Sequence, residues 1–417
     1  MNDLEWIEAA LTAARPQAMG ALLRYFRDLD RAEEAFQEAA LRALQSWPRN
    51  GPPRDPAAWL ILVGRNAALD DVRKADKHEP LPADAVIADL DDAEAPLADR
   101  LDGSHYRDDV LRLMFICCHP DLPATQQIAL ALRIVSGLSV AQIARAFLVG
   151  DAAMEQRITR AKARVAKAGL AFETPGIAER SARLAAVAAM IYLIFNEGYS
   201  AGQDELRAPL CDEAIRLARI LLNLFRTEPE IMGLTALMLL QQSRLPARFD
   251  ANGEVILLED QDRGRWDARL ITEGLALIDK AMRHNSPGPY QIQAALAATH
   301  ARARHAQETD WAQIDHLYSV LERMQPSPVV TLNRAVAVAK LNGPAAALAM
   351  LDPLETKLSG YFHYFGARGM FLMQLGRRAE ARTAFDRAIS LANTAAEAAH
   401  IRRHLDRLGR EHAQPSS

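Results

Sequence analysis

The sequence predicts an all-α protein. Half of the 417 residues are hydrophobic but only 6% are aromatic, and alanine dominates the composition. Apolar residues recur at helical spacing along most of the chain, whereas alternating runs of Val, Ile and Thr are nearly absent. One exception is residues 255–258, predicted to form a short strand or a buried turn. A chain of this length can form roughly two to four domains with proper cores.

Composition and pattern divide the chain into six segments. Residues 1–75 form a small helical domain, 76–105 an acidic linker, 106–170 a second small helical domain, 171–285 a helical connecting domain, 286–410 an array of helical repeats and 411–417 a tail. The predicted architecture is therefore two small helical domains joined by a linker and followed by a helical array.

Two helices stand out in the first domain. One begins with Asp30 as N-cap and has Glu33 three residues later, the spacing of a capping box. Its predicted apolar face contains Phe36, Ala40, Ala43, Leu44 and Trp47, and its polar face Glu33, Glu34, Gln37, Glu38, Arg42 and Gln45. The other begins at Asp55-Pro56, a cap followed by proline at the first helical position. Its first turns are apolar on nearly all sides, which predicts that much of it is buried.

The linker is rich in acidic residues and proline. It contains Glu79, Asp84, Asp89, Asp91, Asp92, Glu94, Asp99 and Asp102 together with Pro80, Pro82 and Pro96. Such a segment has too little apolar surface to offset the entropy lost on ordering. Two interpretations remain open: a route along a basic nucleic-acid channel, and a spacer that contacts nothing.

Residues 138–167 have the pattern of a helix-turn-helix. Ser139 and Gln142 form a capping box before a short helix, and residues 149–151 form the turn. In the second helix Met154, Ile158, Ala161 and Val165 lie on one stripe. The opposite face is expected to carry Gln156, Thr159, Arg160 and Ala163, flanked by Arg157 and Arg164, and it suits a DNA major groove.

The local charge supports DNA contact. Between Leu122 and Leu170 there are seven basic and two acidic residues, a net charge of +5 in a chain whose net charge is −4. Neutralising DNA phosphates requires such an excess. The alternative is a surface helix with a solvated charged face, which is the commoner meaning of scattered Arg and Lys.

In its first domain the chain resembles extracytoplasmic-function (ECF) sigma factors of bacterial RNA polymerase. Residues 33–43 resemble the region 2 helix that binds the polymerase, and the resemblance implies that Gln37, Glu38 and Arg42 contact core RNA polymerase. Residues 58–73 resemble the helix that melts and reads the minus-ten element. The implied minus-ten contacts are Trp59, Arg65, Asn66 and Arg73.

The second domain resembles region 4 of the same family. The matching residues are Leu122-Pro123, Gln126-Gln127, Ala129-Leu130, Leu132-Arg133 and Gly137-Leu138, followed by the helix-turn-helix. The implied minus-thirty-five contacts are Gln156, Arg157, Thr159, Arg160 and Arg164. Two positions depart from the family: Gln142 stands where Glu is usual, and Glu155 where a basic residue is common. Promoter preference therefore does not transfer from other members.

The array contains a repeat of 34 residues. Ala335, Asn342, Ala347, Leu351 and Leu354 recur as Gly369, Gly376, Ala381, Phe385 and Ala388, which is the period and small-residue pattern of the tetratricopeptide repeat (TPR). Residues 290–326 form a looser third unit, and Ala395 to Leu408 a predicted capping helix. The alternative is a set of generic antiparallel helix pairs.

A charged run surrounds Trp266 ahead of the array. Residues 244–250 and 259–267, with 196–199, resemble motifs of the sigma subgroup that carries a TPR-containing extension. An Arg–Asp network that fixes a loop is the preferred interpretation of the charges, and a catalytic carboxylate cluster is the alternative.

Other functional classes have little support. There is no phosphate-binding glycine loop, nucleophile elbow or paired metal-ligand motif, so we expect no enzyme activity, cofactor or metal. The three cysteines are expected to be reduced core residues. Without a secretory signal or an apolar run of bilayer length, a cytoplasmic protein without membrane contact is expected.

The expected partners are core RNA polymerase, promoter DNA, and a protein or peptide ligand of the array. A second function stays open at this stage: a helix-turn-helix transcriptional activator with a TPR sensor domain. The region 2 resemblance argues against it, because an activator needs no melting helix.

Overall fold

A computed structural model describes residues 3–76, 103–147, 149–167, 177–200, 208–250, 253, 255–392, 398 and 401–406. Most of these residues are helical, as predicted, and no strand occurs among them. Residues 255–258 contribute only a single antiparallel bridge between Val255 and Phe249. The chain divides into two compact units, Met1–Leu224 and Phe225–Ser417. Their boundary falls inside the segment 171–285. Most of the predicted acidic linker, and the tail 411–417, lie outside the described residues.

The first unit contains nine helices among its described residues. They are α1 (Asp3–Phe26), α2 (Leu29–Asn50), α3 (Pro56–Asp76), α4 (Gly103–Cys117), α5 (Ala124–Ile134), α6 (Val140–Ala146), α7 (Asp151–Lys167), α8 (Ile177–Ser200) and α9 (Pro209–Leu224). Helices α1, α2 and α3 pack on one another, and α1 also packs on α4. Trp47 and Trp59 meet edge to face inside this bundle, 5.3 Å apart between ring centroids.

The start of α2 differs from the prediction. Asp28, not Asp30, is the N-cap, because its side chain accepts a hydrogen bond from the Arg31 backbone. Asp30 is the second residue of the helix, and Glu33 is buried instead of lying on the polar face. Leu44, predicted to be inside, is exposed. At α3 the prediction is confirmed, since Asp55 accepts hydrogen bonds from the backbones of Ala57 and Ala58, both at 3.0 Å.

The helix-turn-helix is confirmed in detail. Ser139 caps α6 by accepting a hydrogen bond from the Gln142 backbone at 3.2 Å, and the Gln142 side chain accepts one from the Ser139 backbone at 2.8 Å. Both α6 and α5 pack on α7. The four residues of the predicted inner stripe of α7 are all buried. The opposite face of α7 is thereby left to solvent.

Arg15 of α1 joins the first helices to the helix-turn-helix domain. Its guanidinium donates to the carbonyls of Ile134 and Arg133 at 3.0 and 3.2 Å, and so binds the C-terminal end of α5. Gly137 follows that end with φ of +79°, and a side chain there would lie 2.8 Å from Arg15 Cδ. Glycine therefore allows both the left-handed turn and the close approach of Arg15.

Helices α8 and α9 form a hairpin that covers the helix-turn-helix domain. Helix α8 contacts α9 along its length and also packs on α4 and α5. Its buried side contains Leu184, Val187, Met190, Ile191, Ile194 and Phe195. This hairpin is thus part of the first unit.

The second unit is built from successive helix pairs. Its helices are α10 (Pro229–Gln242), α11 (Ala268–Met282), α12 (Pro289–Arg302), α13 (Trp311–Met324), α14 (Pro328–Asn342), α15 (Pro344–Leu351), α16 (Phe362–Gln374) and α17 (Arg378–Leu391). Each helix from α12 onward packs on the next one along the chain. Of the predicted capping helix only residue 398 and residues 401–406 are described, and 401–406 are helical.

The 34-residue pattern corresponds to packing positions. Ala335, Ala347, Ala381, Phe385 and Ala388 are buried, and Gly369 lies against the Phe385 ring. The first of the two 34-residue repeats is irregular, because α15 ends at Leu351 and Asp352–Leu354 continues as a 3₁₀ turn. Pro353 lies in that turn, where it lacks the N–H needed to continue an α-helix.

Candidate nucleic-acid and polymerase interfaces

The predicted DNA-reading face of α7 is accessible. Gln156, Thr159, Arg160 and Arg164 are exposed, and Arg157 is partly buried. Only Arg164 has a weak link to the neighbouring loop, with Nη1 3.5 Å from the Asp121 carbonyl. The buried inner stripe holds α7 against α5 and α6, which presents a rigid row of polar and cationic side chains.

The predicted polymerase face of α2 is partly organised by its own hydrogen bonds. Arg42 Nε lies 3.0 Å from Glu38 Oε1, one helical turn away, and both are half exposed. Gln37 is exposed and donates a long hydrogen bond of 3.4 Å to Glu33. Exposed pairs of this kind contribute little to stability and remain available to a partner.

The predicted minus-ten residues of α3 are in different environments. Trp59 is 7% exposed and packs in the core against Trp47, so here it supports the helix and does not face solvent. Arg65 and Asn66 are partly exposed, and the Arg65 guanidinium lies over the Tyr25 ring at 4.3 Å. The side chain of Arg73 lies outside the described residues.

Sequence reasoning missed an ion-pair network between α2 and the helix-turn-helix domain. Glu33 contacts Arg133 and Lys162, and Asp30 also contacts Lys162. The partners are more than 90 residues apart, so no local pattern reveals the pairing. One signal was present: Glu33 falls on the helical stripe of Ala32 and Phe36, which implies a buried carboxylate in need of a partner.

The charged run around Trp266 has structural partners. Asp262 caps the 3₁₀ helix Arg263–Arg265, and Asp267 caps α11 by accepting from the Arg269 and Leu270 backbones. The Arg263 guanidinium donates to the carbonyls of His300 and Ala303 at 2.8 and 2.9 Å. These contacts support the loop-fixing interpretation of the charges.

A groove of about 960 Å³ lies within the second unit. Its wall includes the aromatic side chains Trp311, Tyr318, Tyr361, Phe362 and Phe371. Lys340 and Glu259 also line it and form an ion pair at 2.6 Å. Sequence periodicity predicted the helices but could not predict this groove, because the shape of the groove depends on how the helix pairs stack on one another.

His300, beside this groove, is a candidate pH-sensitive group. Burial, as the largest cause, and the charges of Arg244 and Arg263 together lower the pKa of His300 from 6.5 to about 4. As the pH falls, His300 in the unfolded chain therefore binds a proton near pH 6.5, whereas His300 in the folded unit binds a proton only near pH 4. The contribution of neutral His300 to the unfolding free energy is complete above pH 6.5 and is lost as the pH falls from 6.5 to 4.

We expect His300→Gln to make the second unit less sensitive to acid. Over that range the wild type should lose on the order of 3 kcal/mol more unfolding free energy than the variant. The measurement is urea unfolding of both proteins at several pH values, followed by circular dichroism. An equal pH dependence of the two proteins would contradict the assignment to His300.

Comparison with protein-family models agrees with the two small domains. Residues 11–78 match Sigma-70 region 2, and residues 112–165 match Sigma-70, region 4. These two domain matches support a sigma factor with a role in promoter recognition that binds core RNA polymerase and promoter DNA, and they indicate a non-enzymatic transcription initiation factor.

Two further comparisons concern the rest of this sigma factor. Residues 183–282 match a family of unknown function, DUF6596. Over 415 residues the chain is 69% identical to the Rhizobium meliloti (strain 1021) protein called "Uncharacterized protein R00370", covering 99% of this chain and 98% of that protein. The similarity includes the C-terminal unit. In the described parts of the sigma factor, every helix is too short or too polar to cross a membrane.

Proposed function

We propose that the protein is an ECF-type sigma factor that directs initiation with core polymerase and no other sigma subunit. The observation that carries the proposal is that both predicted faces lie in one compact unit. Helix α7 offers an exposed row of polar and cationic side chains, and α2 offers a polar face with exposed Gln37 and half-exposed Glu38 and Arg42. An activator would need the first surface only.

Run-off transcription with purified core polymerase tests this proposal. The template is a library of genomic fragments, and the control reaction omits the protein. Transcripts that start at defined promoters only when the protein is present are the expected result. If the folded protein yields none but stimulates polymerase already loaded with another sigma factor, the activator interpretation is correct.

For α7 we expect two different effects of removing arginine. Arg160 lies in the middle of the exposed face, so Arg160→Ala should weaken promoter binding by about 1–3 kcal/mol and relax specificity at one minus-thirty-five position. Arg164 lies at the flank, so Arg164→Ala should weaken binding nearly uniformly across sequences. Affinities of the holoenzyme for a panel of single-base promoter variants distinguish the two. Unchanged binding by both variants would mean that another face of α7 reads the DNA.

The second unit is proposed to be a TPR-like array that binds a protein or peptide. Stacked helix pairs, the 34-residue pattern and an aromatic groove of about 960 Å³ support this role. Repeats of this kind use their concave side for recognition. The proposed site of action of the whole protein is the cytoplasm, where the polymerase works.

A further inference from the structure

The groove of the second unit contains large apolar side chains that remain in contact with solvent. Val336 of α14 is 37% exposed and Leu257 is 36% exposed, and both line the groove together with Trp311, Tyr318 and Tyr361. Apolar surface of this kind gains free energy when a partner removes it from water. The groove therefore has an apolar wall that an occupant can cover.

Polar amide groups are mixed into this apolar surface. On α14, Asn333, Val336 and Lys340 follow at steps of three and four residues, so they lie on one face of the helix, and all three are exposed. Gln374 of α16, which packs on α14, is also exposed and lines the groove. The side-chain amides of Asn333 and Gln374 make no hydrogen bond to any residue that the structure describes. Each amide is free to donate to a carbonyl and to accept from an N–H group.

The charges of the groove are balanced. Its lining includes two acidic side chains, Glu259 and Asp260, and two basic ones, Arg263 and Lys340. Lys340 is paired with Glu259 at 2.6 Å, and the Arg263 guanidinium is held by two backbone carbonyls. Because the formal charges cancel, the groove gives no net attraction to an anion or a cation, whereas either would lose its hydration on entering. Charge complementarity therefore favours an uncharged occupant.

An occupant that contacts both free amides must be long. Asn333 and Gln374 lie on different helices, and the axes of packed helices are about 8–10 Å apart. That distance corresponds to about three residues of an extended chain. An extended polypeptide has an N–H and a carbonyl at every residue, so it matches amide groups at separate points of a groove better than a compact small molecule does.

We propose that the groove binds an extended, uncharged segment of a partner protein that carries large apolar side chains. These side chains pack on Val336, Leu257 and the aromatic wall, and the backbone of the segment forms hydrogen bonds with the amides of Asn333 and Gln374. The inference rests on the proposed peptide-binding role of the array and adds the chemistry of the bound segment.

The first test selects peptides from a random library displayed on phage. The targets are the full chain and its variants Val336→Asp and Leu341→Asp. Leu341 is 44% exposed on the same helix but does not line the groove, so Leu341→Asp is the matched control. Wild type and Leu341→Asp should enrich peptides with a net charge near zero and several large apolar residues, and Val336→Asp should not. Circular dichroism of the three proteins checks that all are folded.

The second test measures affinity for one selected peptide by fluorescence anisotropy. The peptide is labelled and capped at both ends, so that it carries no terminal charge. Val336→Asp should weaken its binding at least about tenfold, because a carboxylate would be buried against apolar side chains. Leu341→Asp should leave the affinity unchanged.

Two double variants test the amides and the charges separately. Asn333→Ala/Gln374→Ala should weaken binding several-fold, and equally for peptides whose polar side chains are replaced by alanine, because these amides contact the backbone. Glu259→Gln/Lys340→Gln removes the ion pair without changing the net charge, and it should leave the affinity for the uncharged peptide nearly unchanged.

The possible failures are distinguishable. If the selected peptides are acidic or basic and still require Val336, the proposed chemistry is wrong while the binding role of the array stands. If no peptide is enriched, that role fails together with the inference. Uncharged peptides that bind Val336→Asp as tightly as wild type would place the site elsewhere and overturn the proposal. A wild-type dimer that becomes a monomer in Val336→Asp, measured by light scattering, would mean that a second copy of the chain occupies the groove, which also contradicts the proposal.

Discussion

A protein that ends after Thr174 should lose the cooperative fold of its helix-turn-helix domain, whereas one that ends after Leu224 should keep it. The shorter protein lacks α8 and α9, which pack on α4 and α5. Six large apolar side chains of α8 are buried among α9, α4 and α5, and each contributes about 1.5–3 kcal/mol when buried. The part of this burial that α4 and α5 provide is lost to the helix-turn-helix domain, and the entire stability of a domain is only about 5–15 kcal/mol.

Thermal unfolding and promoter-dependent transcription of the two truncated proteins check this prediction. The protein ending at Thr174 should unfold without a sharp transition, expose apolar surface and fail to transcribe. Deleting only the residues after Arg410 is the control and should change neither property. A cooperative transition and wild-type transcription in the shorter protein would show that the α8–α9 hairpin is dispensable.

Local signals predicted the helix-turn-helix that carries the proposed DNA-reading face. The Ser139 and Gln142 side chains are three residues apart, so their reciprocal capping follows from sequence spacing alone. The same holds for the inner stripe of α7, because helical period fixes which residues face inward. These features depend on neighbours within one or two turns, and all of them were predicted correctly.

Contacts between distant segments could not be predicted in the same way. Asp28 and Asp30 are both good N-cap residues, and the local pattern with Glu33 favoured Asp30. In the folded unit, Asp30 and Glu33 instead bind Lys162, which is 132 residues from Asp30 in sequence. Arg15 likewise finds its acceptor 119 residues away. Such pairings are set by tertiary packing, which a single sequence does not encode locally.

The array shows an intermediate case. The 34-residue pattern identified which small residues face a bulky neighbour, as Gly369 faces Phe385. It did not predict that α15 stops after eight residues, since the matching helix α17 has fourteen. Pro353 was visible in the sequence, but proline is tolerated in the first turn of a helix and breaks a helix only in its interior. Whether Pro353 ends the helix therefore depends on where the helix begins.

Phe385→Ala should lower the unfolding free energy of the second unit by about 3–5 kcal/mol. The Phe385 side chain is fully buried in a cluster with Leu372, Ile401 and other apolar residues. Its ring also stacks on His404 at 5.6 Å. Removing the ring forfeits its burial and leaves a cavity between α16, α17 and residues 401–406. Asp386→Ala, at the exposed neighbouring position, is the matched control and should change stability by no more than about 0.5 kcal/mol.

A second substitution makes this prediction specific to the Gly369 contact. A Cβ at Gly369 would lie 2.5 Å from the Phe385 ring, so Gly369→Ala alone should be destabilising by about 1–3 kcal/mol through overpacking. In the Phe385→Ala background the same methyl group enters the cavity, and its cost should vanish or become a gain. Urea unfolding of the two single variants and the double variant gives the coupling free energy. Additive effects would mean that Gly369 and Phe385 do not meet, because independent sites show no coupling.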